Sequence, residues 1–200
     1  MAGPSRSLTS GGIFYSLARF SLPVLLTLFL QALYGGVDLL VVGQFASTAD
    51  VSGVSTGSML LSTFTMLVTG LSMGPTVTVG EAIGSGSPKE AGRAVLAGLT
   101  LLGSLAVLLT LGLALFAQPL AALLDAPPEA MDHTVAYIRI CGLGMVFIVA
   151  YNFLGAVLRG AGDAKTPLYT VAVACAVNIV GDLLLVAGFH LGAAGAALRH

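Results

Sequence analysis

Two aspartates, Asp38 and Asp182, lie within long apolar stretches of the sequence. Residues 20–37 carry no charged side chain, and Asp182 alone separates the charge-free stretches 166–181 and 183–198. A charged group at membrane depth is costly and is therefore a candidate functional residue. A carboxylate in low-dielectric surroundings binds a proton more readily, and a second carboxylate nearby strengthens that tendency. The pair therefore predicts a site for H⁺ or Na⁺.

Polar side chains accompany both aspartates at helical spacing. Asn178 precedes Asp182 by four residues, so the two share one face of a helix. Gln31 and Tyr34 precede Asp38 by seven and four residues and share its face in the same way. Amide and phenol groups can donate hydrogen bonds to a carboxylate. We therefore expect Na⁺, if it binds at this site, to be held by Asp38, Asn178, Asp182 and backbone oxygens.

Both aspartates fall at a similar depth. With a rise of about 1.5 Å per residue, Asp38 lies roughly 24 Å beyond Leu22, and Asp182 lies roughly 21 Å beyond Leu168. Tyr137, near the outer end of another apolar stretch, would complete a patch with them. The alternative is that Asp38 is an interfacial residue, hydrogen-bonded and inert.

Other residues within the apolar stretches have less specific interpretations. Asn152 lines a cavity or bridges two helices, and spacing alone does not distinguish these. Pro23, Gly35 and Gly36 share a stretch with Asp38. Proline and glycine breaks are tolerated in a spanning helix mainly where the freed backbone groups find partners. We predict that this first helix can bend at these residues.

Composition indicates a helical membrane protein. The chain has 200 residues, of which 56% are hydrophobic and 8% are charged, and its mean hydropathy is +0.99. Soluble domains have about 25% charged residues, and each membrane-spanning helix needs about 20 mostly apolar residues. We predict an all-α polytopic bundle with five full spans and the start of a sixth. The net charge of −1 gives no basic surface for a nucleic-acid partner.

The apolar stretches also predict the domain organisation. A tail, residues 1–15, precedes spans at about 16–45, 54–79, 94–117, 135–158 and 168–189, with a partial span at 193–200. Lysine and arginine occur before the first span and in the second and fourth connections, whereas residues 46–50 and 125–133 contain none. Because cytoplasmic loops carry an excess of these residues, the N-terminus is predicted to be cytoplasmic in a multi-pass cell membrane protein.

The sequence contains no pattern typical of an enzyme. It has no nucleophile–base pair and no phosphate-binding loop of recognised spacing. Cys141 and Cys175 fall within predicted spans and lack the spacing of a metal site. We expect no cofactor beyond the coupling ion.

Three stretches resemble one transporter family. They are LPVLLTLFLQALYGGVDLLVVGQF, EAIGSGSPKEAGRAV and LRGAGDAKTPLYTVAVACAVNIVGDLLLV. Over about residues 16–198 the chain resembles the N-terminal part of the prokaryotic multidrug and toxic compound extrusion (MATE) transporters. The resemblance implies twelve spans in two six-helix lobes, and it implies export of small organic compounds in exchange for H⁺ or Na⁺. The substrates typical of the family are amphipathic or cationic.

The resemblance also implies roles for particular residues. Asp38, Asn178 and Asp182 match the cation site of the N-terminal lobe, Tyr137 matches a tyrosine of that network, and Pro23 matches a proline at which the first helix bends. After the motif GAAGAAL the family continues with small residues and a threonine that can join the site, whereas this sequence has Arg199 and His200. We therefore interpret the chain as an incomplete lobe whose C-terminal partner lobe is missing.

Two other functions are considered. One is a flippase for lipid-linked oligosaccharides from the same superfamily, which would line a central cavity with basic residues. Apart from Arg19 at the start of the first predicted span and Arg199 in the partial span, Arg139 is the only lysine or arginine within the predicted spans. The other is a truncated membrane fragment that does not transport.

Overall fold

The computed structural model describes residues 13–45 and 48–182 and confirms the all-α fold class. Six α-helices form a bundle, and no strand occurs among the described residues. A 3₁₀ turn at Pro128–Ala130 precedes the fifth helix. The helices are α1 (Ile13–Phe45), α2 (Thr48–Gly84), α3 (Pro88–Leu115), α4 (Ala117–Leu123), α5 (Met131–Gly160) and α6 (Lys165–Asp182).

Length and hydropathy make several of these helices suitable for crossing a membrane. In the described ranges, four candidate spans meet that criterion, namely Phe14–Val37, Thr48–Gly84, Pro88–Leu115 and Pro128–Gly160. The apolar part of α6, Lys165–Val180, is shorter. The end of the predicted fifth span, the predicted partial span at 193–200 and most of the predicted tail lie outside the described residues.

The two connections that carry basic residues reverse the chain in the same way. At the end of α2, Ser87 N donates to Ala82 O at 2.9 Å and Gly86 N donates to Ile83 O at 3.1 Å. The end of α5 repeats this pattern, and Gly86 and Gly162 occupy the left-handed position with φ of 72° and 84°. This is the Schellman arrangement, in which glycine avoids the steric penalty of a side chain.

Helices α2 and α5 form the most extensive contact of the bundle and run parallel to each other. Asp50 pairs with His133 at one end, and Thr69 bonds to Asn152 in the middle. Near the other end, Gly80 lies against the carbonyl of Gly160. The two residues of each pair are 80 to 83 positions apart in the sequence. The nearly constant separation means that the two helices stay in register along most of their length.

Glycine residues, which have no side chain, allow α2 and α5 to pack this closely. A Cβ placed on Gly57 would come within 2.5 Å of the Tyr137 ring, and one on Gly160 would come within 2.7 Å of the Thr76 carbonyl oxygen. Small residues let helix backbones approach in a membrane, where no hydrophobic effect drives helices together. Glycines at these crossings therefore determine how closely α2 and α5 pack.

Helix α3 packs against the α2–α5 pair and completes the core. Leu113 occupies the space beside Gly142, and Gly98 fits between Pro75 and the Phe153 ring. The core cluster of buried residues includes Val54, Val68, Leu102, Ile138 and Met145. We refer to α2, α3 and α5 as the three-helix block.

Helices α1 and α6 form a second pair. Helix α6 contacts α1 far more extensively than it contacts α5. The Cys175 thiol donates a hydrogen bond to the Leu30 carbonyl oxygen at 3.2 Å. Because successive spanning helices alternate in direction, α1 and α6 run the same way. The described helices thus form the three-helix block, with α4 packed on α5, and an α1–α6 pair beside it.

Candidate functional site: the α1–α6 pair

The hydrogen bond between Cys175 and Leu30 sets the register of the two helices that carry the predicted cation site. Asp38 follows Leu30 by eight residues, and Asp182 follows Cys175 by seven. At about 1.5 Å per residue the two aspartate positions lie roughly 12 and 10.5 Å beyond that bond. Their backbone positions therefore fall at nearly the same level of two parallel, adjacent helices.

Helical periodicity also relates these positions to the contacting faces. Asp38 and Tyr34 follow Leu30 by eight and four residues, and Asp182 follows Cys175 by seven. Residues at such spacings share one stripe of a helix. The side chains of Asp38, Tyr34 and Asp182 lie outside the described part of the structure, so their mutual distances stay predictions.

Two other predicted members of the site have described side chains. Gln31 on α1 and Asn178 on α6 are both partly buried. Gln31 directly follows Leu30, and Asn178 comes three residues after Cys175. Both polar residues therefore lie within one helical turn of the bond that joins the two helices, on the approach to the aspartate level.

Tyr137 lies in the interface between α2 and α5. Its side chain is only 1% exposed, and its ring packs over Gly57. Helix α5 contacts α6 only slightly. Packing within the three-helix block thus accounts for the burial of Tyr137. The participation of Tyr137 in a cation network stays a prediction.

Asn152 bridges two helices, which is one of the two roles considered from the sequence. Its Nδ2 donates to the Ile148 carbonyl oxygen at 2.9 Å, and its Oδ1 accepts a hydrogen bond from Thr69 Oγ1 at 3.1 Å. Thr69 is exposed and Asn152 is partly buried. Sequence reasoning missed Thr69 because α2 contains many hydroxyl residues and none of them is marked by a motif.

The contact between His133 and Asp50 at the predicted outer end was also not predicted. His133 Nδ1 lies 2.9 Å from Asp50 Oδ1. A Cβ on Gly53 would lie 2.7 Å from the His133 Cβ, so the two helices meet closely beside the pair. The sequence signal was an aspartate in the first turn of α2 and a histidine near the start of α5. Neither position indicates its partner without the helix register.

The predicted bending residues lie within a continuous helix. Helix α1 runs through Pro23, Gly35 and Gly36 without interruption. Thr27 Oγ1 donates to the Pro23 carbonyl oxygen at 2.8 Å. A Cβ on Gly35 or Gly36 would have no neighbour within 4 Å, so packing in the described part of the chain does not require glycine there. Bending at these positions stays a prediction.

Among the described residues, no group of three or more His, Cys, Asp or Glu side chains could hold a metal ion. Helices α1 and α6 can offer amide and backbone oxygens to a small cation.

Helices of this length and hydropathy define the class of a helical integral membrane protein. Residues 23–184 match the family model described as MatE, and the chain belongs to this family. The resemblance noted in the sequence is thereby confirmed.

Individual relatives agree with this assignment. The chain is 28% identical over 189 residues to the Probable multidrug resistance protein YpnP of Bacillus subtilis, covering 94% of this chain and 42% of YpnP. It is 26% identical over 194 residues to the Multidrug export protein MepA of Staphylococcus aureus, covering 93% of this chain and 41% of MepA.

Solved structures show the same fold. The outward-facing conformation of a multidrug resistance MATE family transporter of the MOP superfamily matches with a TM-score of 0.84 and 25% identity. The match covers 91% of this chain and 40% of that structure. The chain thus spans about two fifths of the length of its relatives, a share consistent with one lobe.

Proposed function

We propose that residues 16–200 form the N-terminal lobe of an antiporter that exports drugs or toxic organic compounds in exchange for H⁺ or Na⁺. The observation that supports the proposal is the hydrogen bond between Cys175 and Leu30. From this register we expect Asp38 and Asp182 at a similar level of α1 and α6. Membership of the MatE family and the multidrug names of the relatives support the substrate class. The remaining lobe is the expected partner.

Cation binding is proposed to be the coupling step. Two carboxylates at one level repel each other, and a bound H⁺ or Na⁺ relieves that repulsion. We propose that α1 then bends at Pro23 or at Gly35 and Gly36, approaches α6 and displaces substrate outward. Loss of the cation on the inner side restores the straight helix and the empty cavity.

The proposed topology gives the cycle a direction. The distribution of lysine and arginine supports a cytoplasmic N-terminus in the inner or plasma membrane. Helices α1 and α6 then both begin at the inner surface, and the aspartate positions lie in the outer half of the bilayer. Cations reaching them from outside would move down their electrochemical gradient.

Efflux of a fluorescent cationic dye tests the proposal. The full-length transporter containing this lobe would carry Asp38→Asn or Asp182→Asn, each of which keeps side-chain size and removes charge. We expect each substitution to abolish coupled efflux, and Asp132→Asn, at an exposed position in the first turn of α5, to retain it. Efflux at the parental rate in the Asp38→Asn protein would overturn the proposal.

The same assay identifies the coupling ion. Vesicles are loaded with dye and given either a pH gradient or a Na⁺ gradient. Efflux that depends on only one gradient identifies that ion as the one exchanged. Dye movement that depends on neither gradient would overturn the antiport mechanism.

A further inference from the structure

Arg159 has an unexpected position at the end of α5. A long basic side chain near a helix end normally extends outward so that its charge reaches water. The Arg159 guanidinium instead folds back one helical turn, and its Nη1 would lie 3.1 Å from a Cβ placed on Gly155. The side chain is partly buried, and the phenol of Tyr151 lies close enough to interact with its charge. The positive charge therefore points back along the spanning helix.

Capping of the helix end does not account for this charge. The Val157 carbonyl oxygen accepts a hydrogen bond from Ala161 N, the Leu158 oxygen accepts one from Asp163 N, and the Arg159 oxygen accepts one from Gly162 N, each at 2.9 Å. The carbonyl groups of Val157, Leu158 and Arg159 thus accept hydrogen bonds from the backbone of the following turn, and none of them needs the Arg159 guanidinium as a donor.

A neighbouring carboxylate does not account for it either. Asp163 is the nearest acidic residue in the sequence, and its Oδ1 accepts from the backbone N–H groups of Lys165 and Thr166, both at 3.0 Å. Its Oδ2 accepts from Thr166 Oγ1 at 2.5 Å. Within the described ranges, the one short contact between a basic and an acidic side chain, His133 with Asp50, lies at the opposite end of α5. A partly buried charge in low-dielectric surroundings needs an anionic partner.

The surface beside Arg159 indicates what that partner is. Phe147, Tyr151, Leu154 and Leu158 follow one another at intervals of four, three and four residues and form one stripe of α5. Phe147 is 75% exposed and Leu154 is 60% exposed. Tyrosine is typical of the boundary between the apolar core and the headgroups. An apolar stripe that ends at a tyrosine and a guanidinium matches the chemistry of a phospholipid.

We propose that Arg159 binds the phosphate of an anionic phospholipid, whose acyl chain lies along the stripe formed by Phe147, Tyr151, Leu154 and Leu158. Arginine binds phosphate through paired, charge-assisted hydrogen bonds. Gly155 leaves the space in which the guanidinium folds toward this stripe. In the proposed topology the lipid belongs to the inner leaflet.

Lipid retention measured by native mass spectrometry tests this site. The protein is purified in detergent and titrated with phosphatidylglycerol, phosphatidylcholine or inorganic phosphate. We expect phosphatidylglycerol to bind at least tenfold more tightly than phosphatidylcholine, and we expect Arg159→Gln to remove that preference. Arg139→Gln is the matched control, because Arg139 is exposed near the other end of the same helix. It should keep the preference.

A second variant separates charge from position. Gly155→Ala keeps Arg159 but pushes its guanidinium away, and it should weaken phosphatidylglycerol binding. An unchanged preference in Arg159→Gln would overturn the proposal, as would displacement of the lipid by inorganic phosphate at equal concentration. The Asp38→Asn protein should keep the preference for phosphatidylglycerol. The lipid experiment can therefore succeed or fail independently of the transport proposal.

Discussion

Asn152 illustrates at the residue scale how one polar side chain can connect two spanning helices. Its amide donates to its own helix and accepts from Thr69 on α2. The sequence identified Asn152 as cavity-lining or bridging. The hydrogen bond to Thr69 shows the bridge, and a place in a cavity stays a prediction. Thr69 could not be predicted as its partner, because the sequence does not indicate which hydroxyl of α2 lies at that level.

A double-mutant cycle measures this bridge. Thr69→Val and Asn152→Leu are made singly and together, and unfolding is followed in mild detergent by circular dichroism. Hydrogen bonds between membrane helices contribute about 0.6 kcal/mol on average, so we expect a coupling free energy of about that size. Ser62→Ala paired with Asn152→Leu serves as a control, since Ser62 lies two turns away on α2. Additive single effects at positions 69 and 152 would contradict the bridge.

Asp163 gives a prediction with a defined pH dependence. Hydrogen bonds from the hydroxyl and backbone N–H of Thr166 hold the pKa of its carboxyl group below the ordinary value. An unfolded aspartate has a pKa of about 3.9. Its stabilising contribution is therefore complete above that pH and is lost as the pH falls through the lower pKa of the folded protein.

Thermal unfolding between pH 3 and pH 6 tests this contribution. Asp163→Ala removes the acceptor at the start of α6, and loss of such a cap costs about 1 kcal/mol. We expect the variant to melt earlier at pH 6 and the difference to shrink toward pH 3. Thr100→Ala, which removes an exposed hydroxyl of α3 and no titratable group, should change the melting temperature by the same amount at both pH values. A difference that is constant with pH would contradict the assigned role.

At the element scale, glycine positions determine how α2 meets α5. Gly53, Gly57 and Gly80 of α2 lie in contact with α5, whereas a Cβ on Gly70 or Gly74 would meet nothing within 4 Å. All five occur in one apolar helix and appear equivalent in the sequence. Only the packing shows that a side chain would not fit at Gly53 and Gly57 and would fit at the other three glycines.

Alanine substitution separates the two groups of glycines. In Gly160→Ala the new methyl group would approach the Thr76 carbonyl oxygen to 2.7 Å, and backbone cannot move aside easily. Overpacking of this kind costs about 1–3 kcal/mol, so the unfolding temperature should fall. Gly74→Ala should leave it unchanged or raise it slightly, because alanine favours the helix. Equal effects of the two substitutions would show that α2 and α5 do not approach closely.

At the scale of the whole molecule, periodicity and charge indicated a polytopic helical bundle, and the structure confirms that class. The sequence did not indicate the separate helix α4, which follows α3 at Phe116. It also did not indicate that α6 packs on α1, because many pairings satisfy the same apolar stretches. The candidate aspartates were recognisable from their apolar surroundings. The α1–α6 pairing that relates them depends on long-range packing.

Cross-linking tests the pairing on which the proposed function rests. Asp38→Cys and Asp182→Cys are introduced into a background in which Cys141 and Cys175 are replaced by serine. If α1 and α6 are parallel and in the register of the Leu30–Cys175 bond, a short thiol cross-linker should join positions 38 and 182 efficiently. Asp38→Cys with Cys175 retained should react poorly, because these positions differ in height by roughly 12 Å. The reverse preference would contradict the register and remove the structural basis of the paired cation site.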